Sequence, residues 1–402
     1  MALKAQALAW RLTRHPDDLA FPARMLDLLD RYHGQATGMF TGDESLSGRN
    51  PVQGTELCAV VETLYSLEQL LAVTGEPAYG DRLERIAFNA LPATFAPDMW
   101  SHQYDQQVNQ VQCTINPDHM WSTNGPESNI FGLEPNYGCC TANMHQGWPK
   151  FAAHLWMRTP DHGLAAVAYA PSEVRFDSQG VPVHIRLDTD YPFRDTLELT
   201  VTVNQPIRFP LLLRIPNWTR QPAITIAGRT TTDLTPGSFH RVDREWQGRE
   251  TLTLQLPMHP AASRRYHQAI ALERGPLLYS LKLGENWTRV NADKPHRELP
   301  HGDFEVRPTT PWNYALLIDE SEPARNVQFI EQPVGQIPFS PEGAGVVAQA
   351  KGRRLPSWKL QHGWADEIAP LDPKTTEPLE DLTLIPYGCT NLRVTEFPHL
   401  KS

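Results

Sequence analysis

The chain has 402 residues, 40% of them hydrophobic and 20% charged, which is the make-up of ordinary folded domains and not of a disordered chain. A formal net charge of −10, with no run of lysine or arginine, argues against a nucleic-acid or anionic-membrane binder and for a neutral or weakly charged ligand. No apolar stretch approaches the roughly 18 to 20 residues of a spanning helix, and the N-terminus lacks the pattern of a cleavable leader. The five cysteines, at 58, 113, 139, 140 and 389, are odd in number and unevenly placed, which does not resemble a secreted disulfide framework. The expectation is a soluble, intracellular (cytoplasmic) protein of two or three domains with reduced thiols.

Along the chain, residues 1–158 are expected to be helical. Between Pro22 and Gly34, Met25, Leu28, Leu29 and Tyr32 fall on one helical face. A second helix is predicted from Thr55, with Leu57, Val60, Val61, Leu64, Leu67 and Leu71 at helical spacing and a stop at Gly75. A third starts at Pro77 and points Tyr79, Leu83, Ile86, Ala90 and Leu91 one way. A fourth runs from Thr141 to Met157 through Met144, Trp148, Phe151 and Leu155, with a kink expected at Pro149. Between them, residues 92–138 form a long polar and aromatic stretch, of a length that carries function or hides small elements.

After about residue 160 the period changes to two. The runs at 181–187, 196–203 and 251–256 alternate strictly, and Asn217, Gly228, Pro236-Gly237 and Gly248 mark turns between runs, which predicts an antiparallel β-sandwich over 159–290. Residues 291–402 are richer in proline, with clear strands only near 315–318 and 382–385, and are expected to form a second, smaller β module. No internal repeat or low-complexity tract is present.

The chemistry-bearing residues cluster in two strings, Gly54-Thr-Glu-Leu-Cys58 and Asn136-Tyr-Gly-Cys-Cys140. Glu56, Cys58, Cys139 and Cys140 supply three thiols and a carboxylate, enough to close a tetrahedral zinc shell, and thiolates select a soft ion over magnesium or calcium. Both strings sit where a helix is predicted to begin, and the positive end of a helix dipole favours carboxylates and thiolates. Joint ligation by residues two apart requires Glu56 in the cap or first turn, because such pairs do not face each other within a helix. Glu56 and Cys58 alone would more often be a capping glutamate beside a core cysteine; Cys139-Cys140, with Thr141 as the expected N-cap, shifts the weight to a metal site. The polar loop Gly42-Asp-Glu-Ser-Leu-Ser-Gly48 offers a carboxylic acid, although such loops are usually solvated turns. Residues 100–107 and 121–125 combine Trp100 or Trp121 with amides, which suits sugar stacking and equally suits a packed loop. His102, His119 and His145 have no ligand spacing.

Gly54-Thr-Glu-Leu-Cys58 and Gly138-Cys-Cys-Thr-Ala-Asn143 resemble the β-L-arabinofuranosidases of glycoside hydrolase family 127, as do Asp81-Arg-Leu-Glu-Arg-Ile-Ala-Phe-Asn-Ala-Leu91, Leu213-Arg-Ile-Pro-Asn-Trp218, Leu272-Glu-Arg-Gly-Pro276 and Ile385-Pro-Tyr-Gly388. The resemblance implies a multidomain α and β fold, an (α/α)6 barrel followed by β-sandwich modules. It also implies Zn2+ held by Glu56, Cys58, Cys139 and Cys140. Catalysis would be retaining hydrolysis of terminal β-L-arabinofuranosidic linkages, with Cys139 as nucleophile, Glu44 as the acid/base beside Asp43, and Glu84 contacting the sugar. The implied partner is an arabinose-containing carbohydrate, with no nucleic acid or membrane, and a homo-oligomer is an expected assembly. Because 158 residues hold only about half of the six helical hairpins of such a barrel, the expected barrel is partial. The alternative is a non-catalytic, zinc-stabilised carbohydrate-binding or assembly protein.

Overall fold

Helices come first and sheets follow, as the change of period predicts. The structure, a computed structural model, describes residues 2–132, 138–368 and 372–400. Asn136 and Tyr137 of the second cysteine string lie outside the described residues. The helical part contains α1 (Ala2–Thr13), α2 (Pro16–His33), α3 (Leu57–Thr74), α4 (Pro77–Ala87) and α5 (Gly138–Ala153). Within it a short antiparallel pair joins β1 (Gly54–Glu56) to β2 (Asp105–Gln107).

Helix α3 is the axis of this part. Its predicted apolar positions are all buried, and it ends where Gly75 takes a left-handed φ of 67° and returns its N–H to the Leu71 carbonyl. By length and composition alone α3 would pass for a spanning helix, contrary to the expectation from the sequence. It packs as a core helix, with Glu62 paired to Lys4 at 2.7 Å and buried Glu68 to His154 at 2.9 Å.

The predicted face of α2 is only half right. Pro22 and Leu26 are its buried residues, whereas Leu28 and Tyr32 are 45% and 55% exposed. Periodicity fixes which residues share a face, not what covers it. Helix α5 starts at Gly138, before the expected cap at Thr141, so both cysteines lie in its first turn.

The stretch from 92 to 132 is largely buried and hydrogen-bonded. Gln106 donates to the Ala90 carbonyl at 2.7 Å, Gln110 to the Asn391 carbonyl at 2.7 Å and Asn109 to the Glu396 carbonyl at 2.9 Å. Such side chains give an irregular buried backbone the partners that a helix or sheet would otherwise supply.

A six-stranded sheet that includes Ser172–Ser178, Val181–Asp188, Thr196–Val203 and Arg249–Gln255 packs on a four-stranded sheet that includes Ile207–Ile215 and Ser238–Trp246. Side chains from the two, such as Phe176 and Phe209 with ring centroids 5.6 Å apart, meet in one core. Pairing is antiparallel except where Leu164–Ala166 runs parallel to Ile207–Ile215. This sandwich is shorter than expected. Strands Pro260–Arg264, Ile270–Arg274 and Leu277–Leu281 belong instead to the eight-stranded sheet of the last module, where Leu277–Leu281 pairs with Leu379–Pro386. Every residue of Leu277–Leu281 is buried, so no alternation marks its sheet. The boundary falls before Pro260, not at 290, and the last module is an extensive sheet.

Two clamps join the modules to the helical part. Arg214 and Glu84, both without exposed side-chain surface, pair at 2.5 Å across the interface of α4 and the sandwich; Asp81 also binds Arg214. Gly80 permits this approach, since a Cβ there would lie 2.6 Å from Arg214 Cδ. The hairpin Glu285–Val290 with Asp303–Pro308 reaches back from the last module, bridging Cys113 to Val306 and Phe131 to Phe304.

Candidate metal centre and active site

Two helix mouths converge on one point. Glu56 is the last residue of β1 and the N-cap of α3, with extended backbone at φ −67° and ψ 139°, and Cys58 is the second residue of the helix. The strand-to-helix change at Leu57 lets residues two apart turn to the same side, which a continuous helix would forbid. From α5, Cys139 and Cys140 complete the group. The four ligand atoms lie within 4.8 Å of one another. Cys58 Sγ is 3.4 Å from Cys140 Sγ, and Cys140 Sγ is 3.9 Å from Glu56 Oε1. Tetrahedral zinc with Zn–S bonds of about 2.3 Å spaces its sulfurs about 3.8 Å apart, so the quartet fits such an ion.

The electrostatics agree. Burial, then the charge and hydrogen bond of Cys58 and the charges of Glu44 and Asp43, push the Glu56 carboxyl up to about 8. The Cys140 hydrogen bond pulls Cys58 down to about 6 against burial, while that same bond and burial push Cys140 well above an ordinary thiol. With Cys58 the group that ionises most readily, its neighbours Glu56, Cys139 and Cys140 are all pushed toward their protonated forms, and a divalent ion would take the place of those protons. Cys140 is buried and Cys139 is exposed, so of the two adjacent sulfurs Cys139 faces the open side.

The neighbouring carboxylates divide their work. Burial would raise Asp43, but the Thr123 N–H at 2.5 Å and the Ser122 hydroxyl at 2.8 Å outweigh it and hold the carboxyl below its ordinary value. Glu44 is exposed and takes no hydrogen bond or ion pair among the described residues. It lies close enough for its charge to act on Glu56.

Glu84 does not join this group. Its carboxylate is fully buried and accepts from Arg214, the Tyr169 N–H at 2.8 Å and the Tyr191 hydroxyl at 2.5 Å. These contacts make the carboxylate an anchor between α4 and the sandwich. Trp121 is buried against His119 and Trp364, whereas Trp100 is 48% exposed. Both ring nitrogens of His102 and His119 are engaged by protein oxygens, and neither these residues nor His145 is in the ligand cluster.

Two residues near the site were given no role from the sequence. Asp105, fully buried and paired in register with Glu56, packs its carboxyl on Gly54, where a Cβ would lie 2.8 Å from its Cγ. Nothing local marks it, since the β1–β2 pairing brings it there. Asn143 donates to Cys58 Sγ at 3.1 Å, and its place one turn beyond the cysteines in α5 was a readable signal.

A sandwich-bearing protein with a Cys3Glu cluster able to hold a metal ion at two helix mouths is the class that fold and site define. The matching family profiles are the GH127 catalytic domain of β-L-arabinofuranosidase over residues 5–153 and the GH127 middle domain over 163–258, together more than half of the chain. The chain belongs to the GH127 β-L-arabinofuranosidase family. A solved GH127 β-L-arabinofuranosidase from Geobacillus stearothermophilus T6 superposes with a TM-score of 0.70 at 19% identity, over 98% of this chain and 58% of that one. A solved glycoside hydrolase gives 0.68 at 15% identity, over 99% and 65%, and another GH127 β-arabinofuranosidase 0.66 at 15%, over 99% and 59%. At such identities the likeness is one of fold, and the chain spans about three fifths of the length of these structures. Comparison with curated proteins gives no match.

Proposed function

We propose that this chain is a retaining glycoside hydrolase that removes terminal β-L-arabinofuranosyl groups from a carbohydrate. The observation that carries this reading is the convergence of Glu56, Cys58, Cys139 and Cys140 with Cys139 on the exposed side. These four residues would hold a zinc ion, which when bound keeps the thiols deprotonated at neutral pH. Cys139 Sγ attacks the anomeric carbon, forming a C–S bond as the glycosidic C–O bond breaks, while Glu44 gives its proton to the departing oxygen. Glu44, now a carboxylate, takes a proton from water as that water's oxygen displaces the sulfur, so two inversions give net retention. The exposure of Glu44 leaves it free to exchange that proton, whereas Asp43 is held as an anion by Ser122 and Thr123 and fixes the loop. The five helices fit part of an (α/α)6 barrel in this reading.

The test uses two variants and a good-leaving-group arabinofuranoside. Cys139→Ser should lose turnover on every substrate, since a hydroxyl is a far poorer nucleophile. Glu44→Gln should keep the first step on activated substrates and slow the second, and azide, which needs no general base, should rescue only this variant. Near wild-type turnover in Cys139→Ser would falsify the nucleophile. A wild-type chain that binds zinc and releases no sugar would instead favour a non-catalytic carbohydrate-binding protein.

A further inference from the structure

Asn143 stands one turn into α5 with its amide Nδ2 3.1 Å from Cys58 Sγ, on the far side of the α3–α5 contact. Its other amide atom is also committed: Gln146 Nε2 donates to Asn143 Oδ1 at 3.2 Å. An asparagine amide can rotate by half a turn and exchange donor for acceptor, and a donor fixed on Oδ1 selects the orientation that aims N–H at the sulfur. Gln146 and Asn143 are three apart, on one face of the helix, so the relay from Gln146 to Asn143 to Cys58 is built on a rigid element.

We infer that Asn143, oriented by Gln146, is a positioning residue for the metal centre, fixing the Cys58 sulfur and withdrawing charge from it. An N–H donor to a thiolate removes electron density from the sulfur and fixes the direction of its lone pairs, and outer partners of this kind are worth about 10- to 100-fold in metal affinity. The Asn143 N–H is directed at Cys58 and so damps that sulfur as a structural ligand. This inference rests on the proposed metal centre, and the experiment separates the two.

Zinc affinity of the full chain is measured by competition with a chromophoric chelator, and the sulfur-to-metal charge-transfer band is recorded after cobalt substitution. Asn143→Leu, which keeps bulk and removes the donor, should weaken zinc about 10- to 100-fold and shift the band, while the metal-free melting temperature stays near wild type. Asn143→Asp, which turns a repelling carboxylate toward the sulfur, should lose at least as much. Gln146→Leu should move both readouts the same way by less. Wild-type affinity and spectrum in Asn143→Leu would overturn the inference, as would a loss matched in full by lower metal-free stability. Failure of the wild-type chain to hold zinc would overturn the metal centre itself and this inference with it.

Discussion

Glu84 lies in a family-like string and Asp43 stands beside the expected acid/base Glu44, and the neighbours of both give them structural work. Glu84 lies in the clamp that joins α4 to the sandwich, where Arg214 has no exposed side-chain surface. Removing the Glu84 charge leaves buried Arg214 with Asp81 in place of two carboxylates and an uncharged group against its other nitrogen. Glu84→Gln should therefore cost about 3 kcal/mol of stability in urea denaturation and leave zinc content unchanged. Unchanged stability with a raised KM would restore the sugar contact expected from the sequence. At the metal centre the opposite pattern applies: Cys140→Ala should lower zinc occupancy and melting temperature together, because binding energy at a thiolate site is partly folding energy.

At the scale of elements, the site depends on how helix ends are set against sheets. Arg85 of α4 reaches the strand Ile270–Arg274, where Glu273 accepts from it at 2.7 Å. Burial would raise Glu273, but Arg85 and the Ser263 hydroxyl outweigh it and hold the carboxyl at about 2. A carboxyl whose folded pKa lies below its unfolded value binds fewer protons in the native state. Its stabilisation is complete above the unfolded pKa of about 4.3 and is lost as pH falls toward 2. The stability advantage of the wild type over Glu273→Gln should thus be constant between pH 6 and 7 and shrink between pH 4.5 and 2.5. An advantage independent of pH over that lower window would show that packing, not charge, holds this contact.

For the whole molecule, the last module is more than an appendage. Its hairpin supports Phe131 and Gly132, shortly before Cys139 in the chain, and is braced by Asp303 and Arg297, a buried pair at 2.7 Å. Asp303→Asn strands the Arg297 charge and should cost about 3 kcal/mol or more. It should also reduce zinc occupancy, although no ligand is touched. A stability loss with full zinc content would show that the hairpin and metal centre are uncoupled. Arg393 makes a second brace, donating to the Gln107 and Ala93 carbonyls at 3.1 and 3.2 Å.

Local chemistry made the outline legible. The apolar spacing of α3, the proline at the start of α4 and the glycine at 75 fix helix ends through short-range sterics and hydrogen bonding, and the soft ligands at two predicted helix mouths were readable as one candidate metal-ligand cluster. Sequence also separated helical from strand segments, because the two periods differ along a few neighbouring residues. What tertiary structure decided involves contacts distant in sequence: which face of α2 is covered, that Leu277–Leu281 pairs with Leu379–Pro386, that Asp105 lies beside Glu56, and that Arg214 encloses Glu84. A residue's type states what its side chain can do, and only the partners brought to it by the fold determine whether that capacity serves chemistry or packing.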